Sequence, residues 1–150
     1  IAGKAITPLI IGLVNFLLML AITQVVFEVP FRGAFFALLL LTALYLACEI
    51  AYALMVSTLT RSQQQATTVV FVWAMVALTL SGYLVPITTL PRAMQWISMA
   101  VPLRHYLTIL RGVMLKGADL SVLLPEALIL LALGVAMTLL TVRSLSRAID

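Results

Sequence analysis

These 150 residues are 64% hydrophobic and 9% charged, with a formal charge of +4 at pH 7, whereas soluble globular domains run at roughly 45–50% apolar and about 25% charged. So apolar a chain belongs in a bilayer, and the expected fold class is all-α: a polytopic transmembrane helix bundle of four spans plus two short interfacial or re-entrant helices. The basic residues are scattered rather than clustered along a phosphate-tracking face, which argues against nucleic acid, and the single cysteine, Cys48, leaves neither an internal disulfide nor a Cys/His cluster for a metal.

The chain opens on Ile-Ala-Gly-Lys rather than Met and lacks the charged, apolar and small-residue succession of a signal peptide, so it reads as part of a longer protein. Ala5 to Phe27 is twenty-three residues without a charge. About twenty residues at 1.5 Å each cross a hydrocarbon core, so this is predicted as the first span. Lys4 marks one end, and Glu28 with Pro30 closes the other. Asn15, Thr23 and Gln24 fall near one face with Gly12 beside them. That face is expected to meet protein rather than lipid, through interhelical hydrogen bonds or, at Asn15, as part of a substrate path.

After a polar turn from Glu28 to Gly33, the run Gly33 to Thr60 gives a second span of twenty-eight residues broken by one carboxylate, Glu49. Ala43, Ala47 and Ala51 recur every four residues, a spacing that lets helices approach closely in lipid. Along a helix Glu49 lies about 24 Å from Gly33 and about 17 Å from Thr60, inside the hydrocarbon. A carboxylate there is costly and marks either a functional site or a satisfied polar cross-link. Thr42, Tyr45 and Tyr52 share its face at helical spacing. Glu49, Tyr45 and Tyr52 are therefore candidates for a substrate path, with Glu49 expected to face the bundle interior and to bond a tyrosine hydroxyl or a neighbouring span.

The turn from Ser57 to Gln65 is short and carries Arg61, so the helices beside it should be antiparallel neighbours. Ala66 to Val85 is predicted as the third span. Ser81 to Gly117 then interrupts the apolar pattern. Pro86, Pro91 and Pro102 each remove a backbone donor and push the preceding residue out of the α region, so no single helix runs through it. The pieces Arg92 to Val101 and Pro102 to Lys116 have ten and fifteen residues, too few to span. Arg104, His105 and Arg111 are costly at mid-bilayer, whereas Trp96 and Tyr106 are poorly placed in water. Two short amphipathic helices lying in or dipping into the interface are expected, with Trp96 and Tyr106 near the headgroups. The region is either a gate, with Tyr83, Pro86 and Pro91 as candidates, or an interfacial anchor. His105 reads as a headgroup or interface residue rather than a base.

Ser121 to Val142 supplies the fourth span, with Pro125 and Glu126 in its first turn and Arg143 and Arg147 as anchors beyond it. Four spans put both ends on one side. Four Lys and Arg on that side face five on the other, so charge alone does not orient the chain. No Gly-rich phosphate loop, paired carboxylates or Ser/His/Asp arrangement occurs, and no catalytic residue is expected.

Four features in order carry a resemblance: Gly3-Lys4 before the first span; Thr60-Arg-Ser-Gln-Gln-Gln-Ala66 before the third; Ser81-Gly-Tyr-Leu-Val-Pro-Ile87 with Leu90-Pro91; and Pro102 followed by Ile109-Leu-Arg-Gly112 and Leu115-Lys-Gly117. Together they resemble the membrane subunit of type-2 ATP-binding-cassette (ABC) exporters, a permease family that includes bacterial multidrug and polysaccharide or lipid exporters. The resemblance implies a subunit of six spans, of which these are the last four, with a cytoplasmic coupling helix upstream. It implies that Lys4, the Arg61 turn and the C-terminus are cytoplasmic, and that the Glu28 to Arg32 turn and the punctuated run are extracytoplasmic.

It further implies a multi-pass protein of the bacterial inner membrane that works as a homodimer or heterodimer with ATP-hydrolysing subunits. Arg61, Ser62 and Gln63 would face those subunits. ATP and Mg would sit on them, so this chain would bind no cofactor and would be a transporter subunit rather than an enzyme. The expected function is half of a substrate translocation pathway; the alternative is a passive channel or scaffold subunit. Leu90-Pro91 stands where Met-Pro is more usual, and Cys48 and Glu49 stand where the family has small or aliphatic residues, so Glu49 has no reading by analogy.

Overall fold

Within lipid an isolated apolar segment can satisfy its backbone only as a helix, and the computed structural model, which describes residues 2–149, contains six α-helices and, among those residues, no strand. They are α1 (Ala2–Phe27), α2 (Phe35–Leu59), α3 (Gln63–Leu80), α4 (Arg92–Ser98), α5 (Pro102–Arg111) and α6 (Leu120–Ile149). A 3-10 turn, Ile87–Thr89, precedes α4, and a π-helical turn, Gly112–Lys116, follows α5. By length and composition α1, α2 and α6 can each cross a membrane. α3 is not in that set: three glutamines open its 18 residues, and it stops at Leu80, short of the predicted Val85. Ser81 caps it, and Gly82 at φ 82° then turns the chain. α6 begins at Leu120, one residue earlier than predicted, and Pro125 and Glu126 are its sixth and seventh residues, in its second turn rather than the first.

α2 and α6 run parallel. Cys48 Sγ contacts the Leu130 carbonyl at 3.5 Å, Thr141 donates to the Ala51 carbonyl at 2.9 Å, and the Thr58 and Ser144 hydroxyls meet at 3.2 Å, so residue numbers rise together on both helices. α3 therefore returns the chain from the Thr58–Ser144 end towards the end where Arg32 meets Gly117. There Gly117 takes φ 58°, and a Cβ on it would lie 3.0 Å from the Arg32 carbonyl oxygen, so both backbone angle and space call for glycine.

Leu38, Ile109 and Leu130 are wholly buried between α2, α5 and α6, with Cys48 and Val113 beside them. Lipid tails are as apolar as these side chains, so close fit and polar bonds hold the helices together rather than exclusion from water. α2 and α6 cross closely at Gly134, where a Cβ would come within 2.7 Å of Cys48 Sγ. The alanine row predicted for close approach is only partly used. Ala51 is buried against α6, but Ala47 is exposed, because Cys48 rather than Ala47 points at Gly134. The outer faces carry Leu40 (72% exposed) and Phe71 (61%), a lipid-facing pattern. α1 packs on α2, with Gly12 against Leu46. Asn15 and Gln24 are exposed on this chain, and Thr23 bonds its own helix at the Met19 carbonyl, 2.7 Å away.

Candidate functional site

Prolines punctuate the segment between α3 and α6. Pro91 precedes α4, and Pro102 opens α5, where a missing N–H costs nothing. Both helices are shorter than predicted: α4 ends at Ser98 and tightens through bonds such as Val101 N to Ser98 O at 3.1 Å, and α5 ends at Arg111 before the π turn. Pro102, His105, Tyr106 and Ile109 are buried, an i, i+3, i+4, i+7 face that packs against α2, α3 and α6. α5 thus enters the bundle.

Tyr106 corrects the headgroup expectation. It is 7% exposed, its hydroxyl lies 3.0 Å from Thr42 Oγ1, and its ring stacks on Tyr45 with centroids 4.4 Å apart. Burial pushes the Tyr106 phenol above its usual range, and the Thr42 hydrogen bond opposes this. Trp96, 72% exposed on α4, fits an interfacial place.

His105 also departs from its interface reading. It is buried, with Nδ1 against the Glu126 carboxylate and Nε2 2.8 Å from the Met99 carbonyl, so it ties α5 to α6 and to the end of α4. Arg104 turns back on α4, reaching the Gln95 carbonyl at 3.1 Å and the Ser98 hydroxyl. Arg111 is exposed, as are Tyr83, Pro86 and Pro91 on the linker before α4.

The polar stripe of α2 divides between two neighbours. Thr42 and Tyr45 turn to α5, while Tyr45, Glu49 and Tyr52 line a groove of about 560 Å³ between α2 and α3. Trp73 and Ala77 form its opposite wall, Leu103 of α5 meets it, and the Tyr52 and Trp73 rings lie 4.9 Å apart. Glu49 is half-buried there and faces the groove. Of its two expected partners it has one: the Tyr45 hydroxyl of its own helix hydrogen-bonds the carboxyl, whereas no hydrogen bond from a neighbouring helix reaches it among the described residues. The sole pair within salt-bridge distance among those residues is His105–Glu126, which leaves Glu49 without a basic side chain against it. A second groove, about 470 Å³, lies at the far ends of α2 and α6 beside Thr58, Arg143, Ser144 and Arg147. It opens at a helix end, whereas the Glu49 groove sits at mid-helix.

Arg61, Ser62 and Gln63 are exposed. Ser62 caps α3 by accepting from Gln65 N at 3.2 Å, and Gln65 Oε1 accepts from Arg61 N at 3.2 Å, so the turn is held locally and its outer surface stays free.

Glu126 as partner of His105, and Trp73 opposite Glu49, were missed by the sequence reading. A separation of 21 residues carries no helical periodicity, and nothing in an apolar run tells which face meets another helix.

The profile of the family described as ABC-2 type transporter matches residues 1–115. The chain is 32% identical to the probable multidrug ABC transporter permease YbhR of Escherichia coli K12 over 80% of its length and 33% of that protein's. To the probable multidrug ABC transporter permease YbhS it is 28% identical, over 98% of its length and 39% of the relative's. To the inner membrane transport permease YhhJ it is 25% identical, over 84% and 34%. It thus spans about a third of these relatives. No solved structure matches it. The profile takes in α1 to α5 and most of the π turn, including the Glu49 groove, and on that match the chain belongs to the ABC-2 type transporter family.

Proposed function

We propose that this chain is the C-terminal part of the permease subunit of an ATP-driven exporter in a bacterial inner membrane, and that its α2–α3 groove belongs to the translocation path. The observation that carries the reading is that groove: mid-helix, mostly apolar, large enough for a small molecule, and bearing one carboxylate. Two relatives are named as probable multidrug permeases, which supports drugs as the cargo.

In this reading α3 is a fourth crossing, a view supported by the parallel course of α2 and α6, which needs a return between them. Arg61, Ser62 and Gln63 lie on the cytoplasmic side and touch ATPase subunits that hold ATP and Mg. The α4–α5 segment, with Tyr83, Pro86 and Pro91, forms the outer gate. A second permease copy completes the path, and Asn15 and Gln24, exposed on this chain, are available to the upstream spans or to that copy.

Purification of the full-length protein with its ATPase partner tests this. The partner should co-purify, and its turnover should change when the permease is present. A protein that purifies alone and conducts solutes without ATP is a passive channel or scaffold instead.

A further inference from the structure

Glu49 lies fourteen residues into α2, about 21 Å from Phe35 and about 15 Å from Leu59, deep in a spanning helix. A carboxylate that stays ionised at that depth needs a partner of opposite charge, and among the described residues no basic side chain lies within salt-bridge distance of it. Its surroundings are aromatic on both sides along the helix. Tyr45, one turn before it, and Tyr52, one turn after it, line the same groove, and Trp73 faces them from α3. Ring faces attract cations, and the attraction grows as water is excluded.

A small metal ion is poorly served, because it wants about six or more oxygen ligands and the lining is largely apolar. An anion is repelled by Glu49, and a neutral molecule would leave the ionised carboxylate without a counter-charge. The volume of about 560 Å³ falls in the range of roughly 300–1,000 Å³ typical of small-molecule sites.

We propose that the Glu49 groove binds a lipophilic organic cation, such as a quaternary ammonium or phosphonium, with Glu49 as counter-ion and Tyr45, Tyr52 and Trp73 as aromatic walls. This names the substrate class of the path proposed above and rests on that reading.

The test is equilibrium dialysis of tetraphenylphosphonium against the full-length protein purified with its ATPase partner. Glu49→Gln should weaken binding at least about tenfold, Trp73→Ala by about three- to tenfold, and Glu49→Asp should keep most of the affinity. In the wild-type protein, tetraphenylphosphonium should also protect Glu49 from modification by dicyclohexylcarbodiimide, a readout that needs no variant to fold.

Binding that depends on Glu49 supports the site even where ATP turnover is uncoupled from the permease, a result that sinks only the permease reading. Absence of wild-type binding, as when a second copy of the chain seals the groove, overturns the proposal. Equal affinity in Glu49→Gln, or no protection from the carbodiimide, overturns it as well.

Discussion

The Tyr106 hydroxyl donates to Thr42 Oγ1 across 3.0 Å, and the direction follows from Thr42 itself, whose own proton goes to the Leu38 carbonyl at 2.7 Å. Thr42 lies seven residues into α2, about 10 Å from its start, so this bond fastens α5 below the mouth of the bundle. Tyr45 stacks on the same ring and also lines the Glu49 groove. A shift of α5 therefore moves one wall of the groove, which links the α4–α5 segment to the candidate path.

Tyr106→Phe should cost about 1 kcal/mol, since Thr42 keeps its own bond and the stack with Tyr45 survives. The Tyr106 phenol is held above the unfolded value of 10.0 by burial. Its contribution is therefore complete below about pH 10 and is lost as pH rises through the folded value. Thermal unfolding in detergent of wild type and variant should show a constant difference up to about pH 10 and a shrinking one above it.

The Met99 carbonyl only accepts, so His105 Nε2 donates to it, while Nδ1 faces the Glu126 carboxyl. His105→Ala should lower stability by about 2 kcal/mol and expose the α4–α5 segment to protease. Glu126→Gln should cost less, because an amide N–H can donate to Nδ1. An unchanged stability and protease resistance in His105→Ala would mean that the pair does not hold α5 to α6.

Gly134→Ala places a methyl 2.7 Å from Cys48 Sγ and should destabilise the α2–α6 crossing by about 1–3 kcal/mol. Adding Cys48→Ala removes the sulfur and should recover most of the loss, a coupling that a double-mutant cycle in thermal unfolding would read.

Cysteines placed at Thr89 and Lys116, both exposed, should react with an impermeant maleimide from outside intact cells, and a crosslinker at Ser62 should reach the ATPase partner. Labelling of Thr89 and Lys116 only from the cytoplasm would reverse the proposed orientation.

The sequence made the helices legible because uncharged runs and prolines act locally: α1 and α2 match their predicted extents within a few residues, and the breaks at Pro91 and Pro102 fall where expected. Glu49 stood out by its rarity in an apolar run. What was not legible depends on how helices meet. Tyr106 looked interfacial because tyrosine often is, and only packing against α2 buries it. His105 and Glu126 are joined by tertiary contact alone. The crossing at Gly134 rests on one cysteine beside the alanine row rather than on the row.

The most direct test of the central claim, that ATP drives changes in exposure of the Glu49 groove, is the reactivity of a cysteine at Ala53, which is exposed and lines that groove. In inside-out vesicles holding the full-length protein and its ATPase partner, the Ala53→Cys thiol should react rapidly with a charged methanethiosulfonate applied from the cytoplasmic side without nucleotide. It should become protected from that side once the partner is trapped with ATP and vanadate. Equal rates in the two states would contradict the account.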